Sequence, residues 1–247
     1  MPLAEELNEL RLEPCGSPHS ETVHGAKKLG ASWEHKLFFP TRVMTAHSDD
    51  PSMLDGLRQL FRSEDRYRDA KFAEIADEEN MMDYAARYPA IAMLKKFMWD
   101  GMVSWLRAED ITGEFVVQVQ VFSNYSKKGA YVPAHNHEAH VSGVYYVDIP
   151  GKCTNDIFVQ GDSRRYWAQD PGVLILHDPR FNSSLVELAN NTYVKMFPRS
   201  GMGIIFPSYL WHSVTPHFED QDRISIAFNF IIHPKARFAM PTEKLVL

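Results

Sequence analysis

The chain has 247 residues, 45% of them hydrophobic and 23% charged, an ordinary globular composition with enough apolar material for a sizeable core. Its formal net charge of −6, with no dominating basic patch, excludes nucleic acid as the main partner. No apolar run approaches the roughly 18 residues of a membrane span, the acidic start "MPLAEELNEL" lacks the pattern of a signal peptide, and Cys15 and Cys153 imply neither a disulfide framework nor a Cys-rich zinc site; a soluble, cytoplasmic protein is expected.

In chain order, residues 14–32 ("PCGSPHSETVHGAKKLGAS") read as a loop or extended arm. "HKLFFPTRVMTAH" (35–47) is a short strand interrupted by Pro40, hence an edge strand. "DDPSMLDGLRQLFRSED" then carries a helix start, with Asp49, Asp50 or Ser52 as cap and Pro51 in the first turn. The strongest helical signal lies in 88–110. There Ile91, Leu94, Met98, Met102 and Trp105 recur at spacings of three and four, so the Met and Trp side chains form a packing face rather than a cofactor box.

After Gly113 the texture changes. "EFVVQVQVFSNYS", "HVSGVYYVDIP", "DIFVQG", "GVLILHD", "TYVKMFP", "GMGIIFPS", "WHSVTPH" and "RISIAFNFIIH" are short β-like runs separated by turn residues. Closely spaced strands of this kind predict a double-sheet jelly roll, the cupin-like double-stranded β-helix. The predicted fold is therefore mainly β with a helical N-terminal layer, in one domain. Residues 1–112 supply the arm and helices, 113–235 the jelly-roll core, and 236–247 a tail. The polar segment 182–192 is a lid or an ordinary insertion.

"PAHNHEAHVSGVYYVDIP" (133–150) crowds His135, His137 and His140 at the mouth of a strand. Residues two apart on an extended chain share a face, so His135 and His137 can converge, while His140 has the opposite parity. A histidine pair alone is weak evidence of metal. A second feature strengthens it: His212 opens another strand, and Arg223 follows eleven residues later. In that last strand Arg223, Ser225, Ala227 and Asn229 share one face, and Ile224, Ile226, Phe228 and Phe230 the other. An arginine among small and polar residues inside a sandwich needs an anion, because burying its charge unpaired is costly. The guanidinium fork suits a carboxylate, and the Ser225 hydroxyl can add a hydrogen bond.

These residues resemble the 2-oxoglutarate- and Fe(II)-dependent oxygenases. The resemblance rests on "HNH" at 135–137, "SGVYYV" at 142–147, "FPSYLWHSV" at 206–214 and "RISIAFN" at 223–229. It looks closest to a bacterial and phage branch carrying H-x-H, S-G-V-Y-Y, F-P-S-x-x-x-H and R-x-S-I-x-F-N. It spans about residues 115–233. It implies Fe(II) and 2-oxoglutarate as cofactors, a small-molecule substrate with O2, and succinate and CO2 as coproducts of C–H oxidation, commonly hydroxylation. It further implies His135 and His212 as metal ligands and Arg223 with Ser225 as the cosubstrate anchor; His137 either completes a three-histidine site or does not ligate, leaving an open one. The chain departs from the wider superfamily at His137, where a carboxylate is usual, and Glu138 has the wrong parity to replace it.

Around that core, Asn124 and Tyr146 are assigned to the cosubstrate, and Tyr125, Tyr145 and Arg180 to the substrate. Tyr145 and Tyr146 are one core and one pocket residue, and alternation does not say which. His177, His217 and His233 read as turn histidines. No membrane or nucleic-acid partner is expected, and a homodimer is left open. Two other readings stand beside the oxygenase: a cupin-type three-histidine iron dioxygenase without 2-oxoglutarate, and a non-catalytic metal- or ligand-binding jelly roll.

Overall fold

The computed structural model describes residues 41–48, 50–63, 87–151, 158–160, 170–180 and 193–234, all within one compact unit, Thr41–Leu247. The arm at 14–32, the segment 182–192, the tail at 236–247 and both cysteines lie outside the described residues. In chain order the elements are β1 (Met44–His47), α1 (Pro51–Ser63), α2 (Pro89–Ala108), β2 (Phe115–Ser126), β3 (Val132–His135), β4 (Val141–Asp148), β5 (Phe158–Gln160), β6 (Leu174–His177), β7 (Tyr193–Met196), β8 (Met202–Pro207), β9 (His212–Val214) and β10 (Arg223–Pro234).

The helices start and stop where the local chemistry directs. Asp50 Oδ1 accepts from the Ser52 backbone N–H at 2.9 Å and from its hydroxyl at 2.6 Å, capping α1 just before Pro51. Arg42 Nη2 donates to the Ala108 carbonyl at 2.7 Å, satisfying one of the orphan carbonyls at the end of α2. Helix α1 buries Met53, Leu57, Leu60 and Phe61, and α2 buries Ile91, Leu94, Met98, Met102 and Leu106. The predicted stripe of α2 is thus the buried one, with Trp105 only partly covered.

Among the described residues the strands form two five-stranded antiparallel sheets, ordered β1-β8-β4-β10-β2 and β3-β9-β6-β7-β5, the jelly roll expected. The helices cover the outer face of the first sheet. Ile226, Phe228 and Phe230 of β10 and Tyr145 and Val147 of β4 pack beneath them. A second core fills the space between the sheets, with Leu174 and Leu176 from β6, Met196 from β7, and Ile204 and Phe206 from β8. Strand β10 is the spine. It pairs with β2 along its whole length, from Arg223↔Ser126 to Pro234↔Phe115, and with β4 on the other side, where the register shifts between Ile224 and Ser225.

Strand β1 sits at a sheet edge, as Pro40 predicted. Strand β3 was not among the β-like runs. It is four residues long, contains Pro133, shows no apolar alternation, and among the described residues pairs only with β9.

Gly143 of the S-G-V-Y-Y stretch sits close against the flanking strands β10 and β8 of its own sheet. A Cβ there would overlap the Phe228 ring and come within 2.7 Å of the Ile204 carbonyl oxygen. We expect Gly143→Ala to destabilise the fold by about 1–3 kcal/mol through overpacking. Urea denaturation monitored by far-UV circular dichroism measures this, and an unchanged midpoint would show that Phe228 yields without cost.

Candidate metal centre

Residues His135 and His212 are directly opposed in the pairing of β3 with β9. His137 follows two residues later, beyond the end of β3, and its backbone N–H donates to the Ser208 carbonyl at 3.0 Å. That bond ties the loop to the turn after β8 and brings the third ring in. One ligating atom from each of the three histidines lies within 4.8 Å of the others, and His137 Nε2 and His212 Nε2 are 3.2 Å apart. This is the spacing of two donors sharing one ion at metal–nitrogen distances of about 2.0–2.1 Å.

Two of the rings are oriented by backbone. The Nδ1 N–H of His135 donates to the Pro133 carbonyl at 2.8 Å, and that of His212 to the Leu210 carbonyl at 2.9 Å. Each leaves its Nε2 lone pair free for a metal. Burial holds His212 down to about 4, with the neighbouring histidines adding to the effect, and burial also lowers His137. At both positions burial thus favours the uncharged ring, the form that a metal requires.

A cavity of about 290 Å³ runs between the sheets from this triad to Arg223. Its floor is the inner face of β10, where Asn229, Ala227, Ser225 and Arg223 follow one another. Cross-strand neighbours extend it into rows: Ser142 beside Asn229, then Tyr146 and Asn124 flanking Ser225. Phe122, Val144, Leu174 and Val214 make the remaining wall largely apolar.

Arg223 is 4% exposed. Its Nη1 donates to Ser225 Oγ at 3.3 Å, its guanidinium lies 5.3 Å from the Tyr146 ring centroid, and its Nε has no hydrogen-bond partner. Among the described residues no carboxylate pairs with it, and burial pulls its pKa below the ordinary value. Tyr146 is fully covered, and burial pushes its hydroxyl up to about 12 despite the nearby cation. A cation kept from water without a counter-ion is a demand for an anionic ligand.

The other predicted site residues fall elsewhere. Tyr145 lies on the opposite face of β4, edge-on to Phe97 of α2 at 5.3 Å, so the tyrosine pair divides with Tyr146 in the cavity. Tyr125 also faces the helical side, and its hydroxyl donates to Asp222 at 2.8 Å. Arg180 is exposed and forked onto Asp178, at 2.6 and 3.0 Å. None of these three lines the cavity. His140 is outside the triad: its Nδ1 accepts from the Ile232 N–H at 3.0 Å. His177 ends β6 beside Ser213, His217 is buried against the Ser126 carbonyl, and His233 lies within β10 rather than in a turn. Sequence reasoning placed Asn229 on the Arg223 face without giving it a role, and passed over Ser142 and Ser208. Parity alone put Asn229 on the floor; that it touches His137 depends on a loop the pattern does not encode.

Residues 120–229, from β2 through most of β10, match the family model described as a 2OG-Fe(II) oxygenase. That segment, and not the whole chain, is what is similar to the 2OG-Fe(II) oxygenase family. As the family's name states, its cofactors are Fe(II) and 2-oxoglutarate. The chain matches no curated protein. Among solved structures it is similar to a Pseudomonas putida prolyl-4-hydroxylase, at 15% identity and a TM-score of 0.49 over 77% of this chain and 92% of the other. It is also similar to HygX from Streptomyces hygroscopicus with nickel and 2-oxoglutarate bound, at 14% identity and a TM-score of 0.48 over 78% and 82%. AviO1 from Streptomyces viridochromogenes Tue57 is a third, at 15% identity and a TM-score of 0.48 over 77% and 90%. Among the described residues no helix is long and apolar enough to cross a membrane.

If Arg223 serves a ligand rather than the fold, the protein bears its burial as a cost. Arg223→Met should then leave the ligand-free protein equally stable, or more stable by up to about 4 kcal/mol. Thermal and urea unfolding provide the measurement. A marked loss of stability would make Arg223 a structural residue.

Proposed function

We propose that this protein is an Fe(II)- and 2-oxoglutarate-dependent dioxygenase that oxidises, by hydroxylation, a C–H bond of a small molecule such as an amino acid or metabolite. His135, His137 and His212 would hold the iron. Arg223 and Ser225 would hold the distal carboxylate of 2-oxoglutarate. The observation that carries the reading is the buried, unpaired Arg223 at one end of the cavity whose other end is the histidine triad. A cation at each end and a neutral, largely apolar wall between them is the complement of a short molecule with an anion at both ends. 2-Oxoglutarate is such a molecule.

The residues fit both groups. Three converging imidazoles suit a divalent transition metal, and the free Nε of Arg223 supplies a donor still to be used. Iron and 2-oxoglutarate, when bound, supply the oxidising chemistry, with succinate and CO2 as coproducts. What the protein contributes is placement. The Pro133 and Leu210 carbonyls fix two imidazoles in the ligating tautomer. The Arg223 fork would take the distal carboxylate, and Ser225 Oγ would add a hydrogen bond. The Tyr146 ring packs against the guanidinium and keeps water from competing for it, and Asn124 offers an amide next to Ser225. With three neutral ligands the iron carries one more unit of positive charge than in a site with a carboxylate ligand, which strengthens its hold on an anionic chelator.

A three-histidine iron site also suits a dioxygenase that uses no 2-oxoglutarate. That reading leaves Arg223 buried without a task. Substrate-dependent release of succinate separates the two.

Two experiments test the assignment. His212→Ala should abolish Fe(II) binding, measured as iron per chain after anaerobic reconstitution, because two ligands from one short segment do not hold the ion without the distal one. His137→Asp should retain iron, since a carboxylate can take the same position. Stoichiometric iron in His212→Ala would overturn the ligand set, and loss of iron in His137→Asp would remove position 137 from it.

Arg223→Ala should leave iron in place but weaken 2-oxoglutarate binding, read from the Fe(II)–2-oxoglutarate charge-transfer band. Losing a charge-assisted fork costs roughly 2–5 kcal/mol, so affinity should fall by about 30-fold or more at about 1.4 kcal/mol per tenfold. Lysine at 223 should restore it only in part. An unchanged titration would refute the anchor.

A further inference from the structure

His137 differs from the other two histidines in what its second nitrogen meets. His135 and His212 each donate Nδ1–H to a backbone carbonyl, which fixes the tautomer with Nε2 free. His137 Nδ1 meets no carbonyl; it faces the side-chain amide of Asn229, 3.4 Å from Nδ2. Asn229 is 5% exposed, and its Oδ1 accepts from Ser142 Oγ at 2.7 Å. Ser142 Oγ in turn lies 2.7 Å from Ser208 Oγ, and Ser208 accepts the His137 backbone N–H through its carbonyl. The chain His137–Asn229–Ser142–Ser208 is a closed polar circuit linking β10, β4, the turn after β8 and the ligand loop.

We propose that Asn229 is the positioning residue of the metal ligand His137, acting through its side-chain amide on the His137 tautomer. Nε2 can ligate a cation only if the neutral ring carries its proton on Nδ1, and that proton needs an acceptor. With Nδ2 towards the ring, Asn229 favours the opposite tautomer, whose Nε2–H points at His212 Nε2. With the amide turned through a half-circle, Oδ1 accepts Nδ1–H, Nδ2 donates to Ser142 Oγ, and the Ser142 hydroxyl donates to Ser208. Serine hydroxyls serve equally as donor or acceptor, so the circuit reverses without leaving a buried amide atom unpaired. The proton moves from Nε2 to Nδ1 through solvent with no net release. At the other two ligands a carbonyl, which can only accept, permits one tautomer. Here an amide permits both, and metal binding selects one.

The inference rests on His137 being a ligand, so the test carries a control for that premise. The probe is Zn(II) in place of iron, with affinity from competition against a chromogenic chelator, and with histidine nitrogen chemical shifts from NMR of 15N-labelled protein. His137→Ala must weaken Zn(II) binding for the premise to stand. Asn229→Leu, close in volume but without an acceptor, should then weaken Zn(II) binding by about 10- to 100-fold. Asn229→Asp, which can only accept from Nδ1–H, should bind at least as tightly as the native chain. In the Zn(II)-loaded native protein the His137 shifts should report Nδ1 protonated and Nε2 metal-bound. Native affinity in Asn229→Leu, Asn229→Asp as weak as Asn229→Leu, or His137 ligating through Nδ1, would each overturn the proposal. Intact binding in His137→Ala would instead bring down the ligand assignment beneath it.

Discussion

The pleat of β10 is the constraint on which the rest of the molecule depends. Its side chains alternate between two environments that tolerate no exchange. Ile226, Phe228 and Phe230 fill the core under the helices, while Arg223, Ser225, Ala227 and Asn229 floor the cavity. A slip of one residue would turn every side chain to the opposite face. It would drive the arginine into the helical core and the phenylalanines into the cavity. Pairing with β2 along its full length and with β4 on the other side makes such a slip prohibitive. The irregularity at Ile224–Ser225 is accommodated where β4 ends, and Tyr146 still lies beside Ser225.

The charge distribution follows from that alternation. Inside the sandwich the described residues present one guanidinium and three imidazoles, two of them held neutral by burial or by burial and one another. Carboxylates are kept outside: Asp178 serves Arg180, Asp170 serves Lys195, and Asp222 takes the Tyr125 hydroxyl. The interior is therefore poised towards positive potential, and anions complete it. The histidine at position 137 belongs to the same pattern, since a carboxylate there would offset charge that the cavity otherwise leaves for anions.

Much of this was legible in the residues, for identifiable reasons. Period-two alternation in "RISIAFNFIIH" assigned both faces of β10 correctly, and the three–four spacing of Ile91, Leu94, Met98 and Met102 gave the buried stripe of α2. These patterns are local, and burial on one side imprints them directly. Tyr145 and Tyr146 could not be divided because "VSGVYYVD" is buried on both faces, leaving no polar side to set the phase. Strand β3 escaped notice because an edge strand of four residues with a proline carries no such imprint. Asn229 could be put on a face but not against His137, because that meeting is made by the 136–140 loop and its bond to Ser208, which no periodicity records.

The position of β3 gives the centre a mechanical character. Among the described residues it is the outermost strand of its sheet and pairs with β9 alone, and that pairing is irregular between Val132 and His135. Such borders fray more readily than strands flanked on both sides. An ion gripped by His135, His137 and His212 would act as a rivet through that loose border, fastening it to β9 and, by way of the Ser208 turn, to the opposite layer. Cofactor loading and cohesion of the sandwich rim would then be one equilibrium: starvation for iron would loosen the jelly roll first at the wall that must close around its reactants.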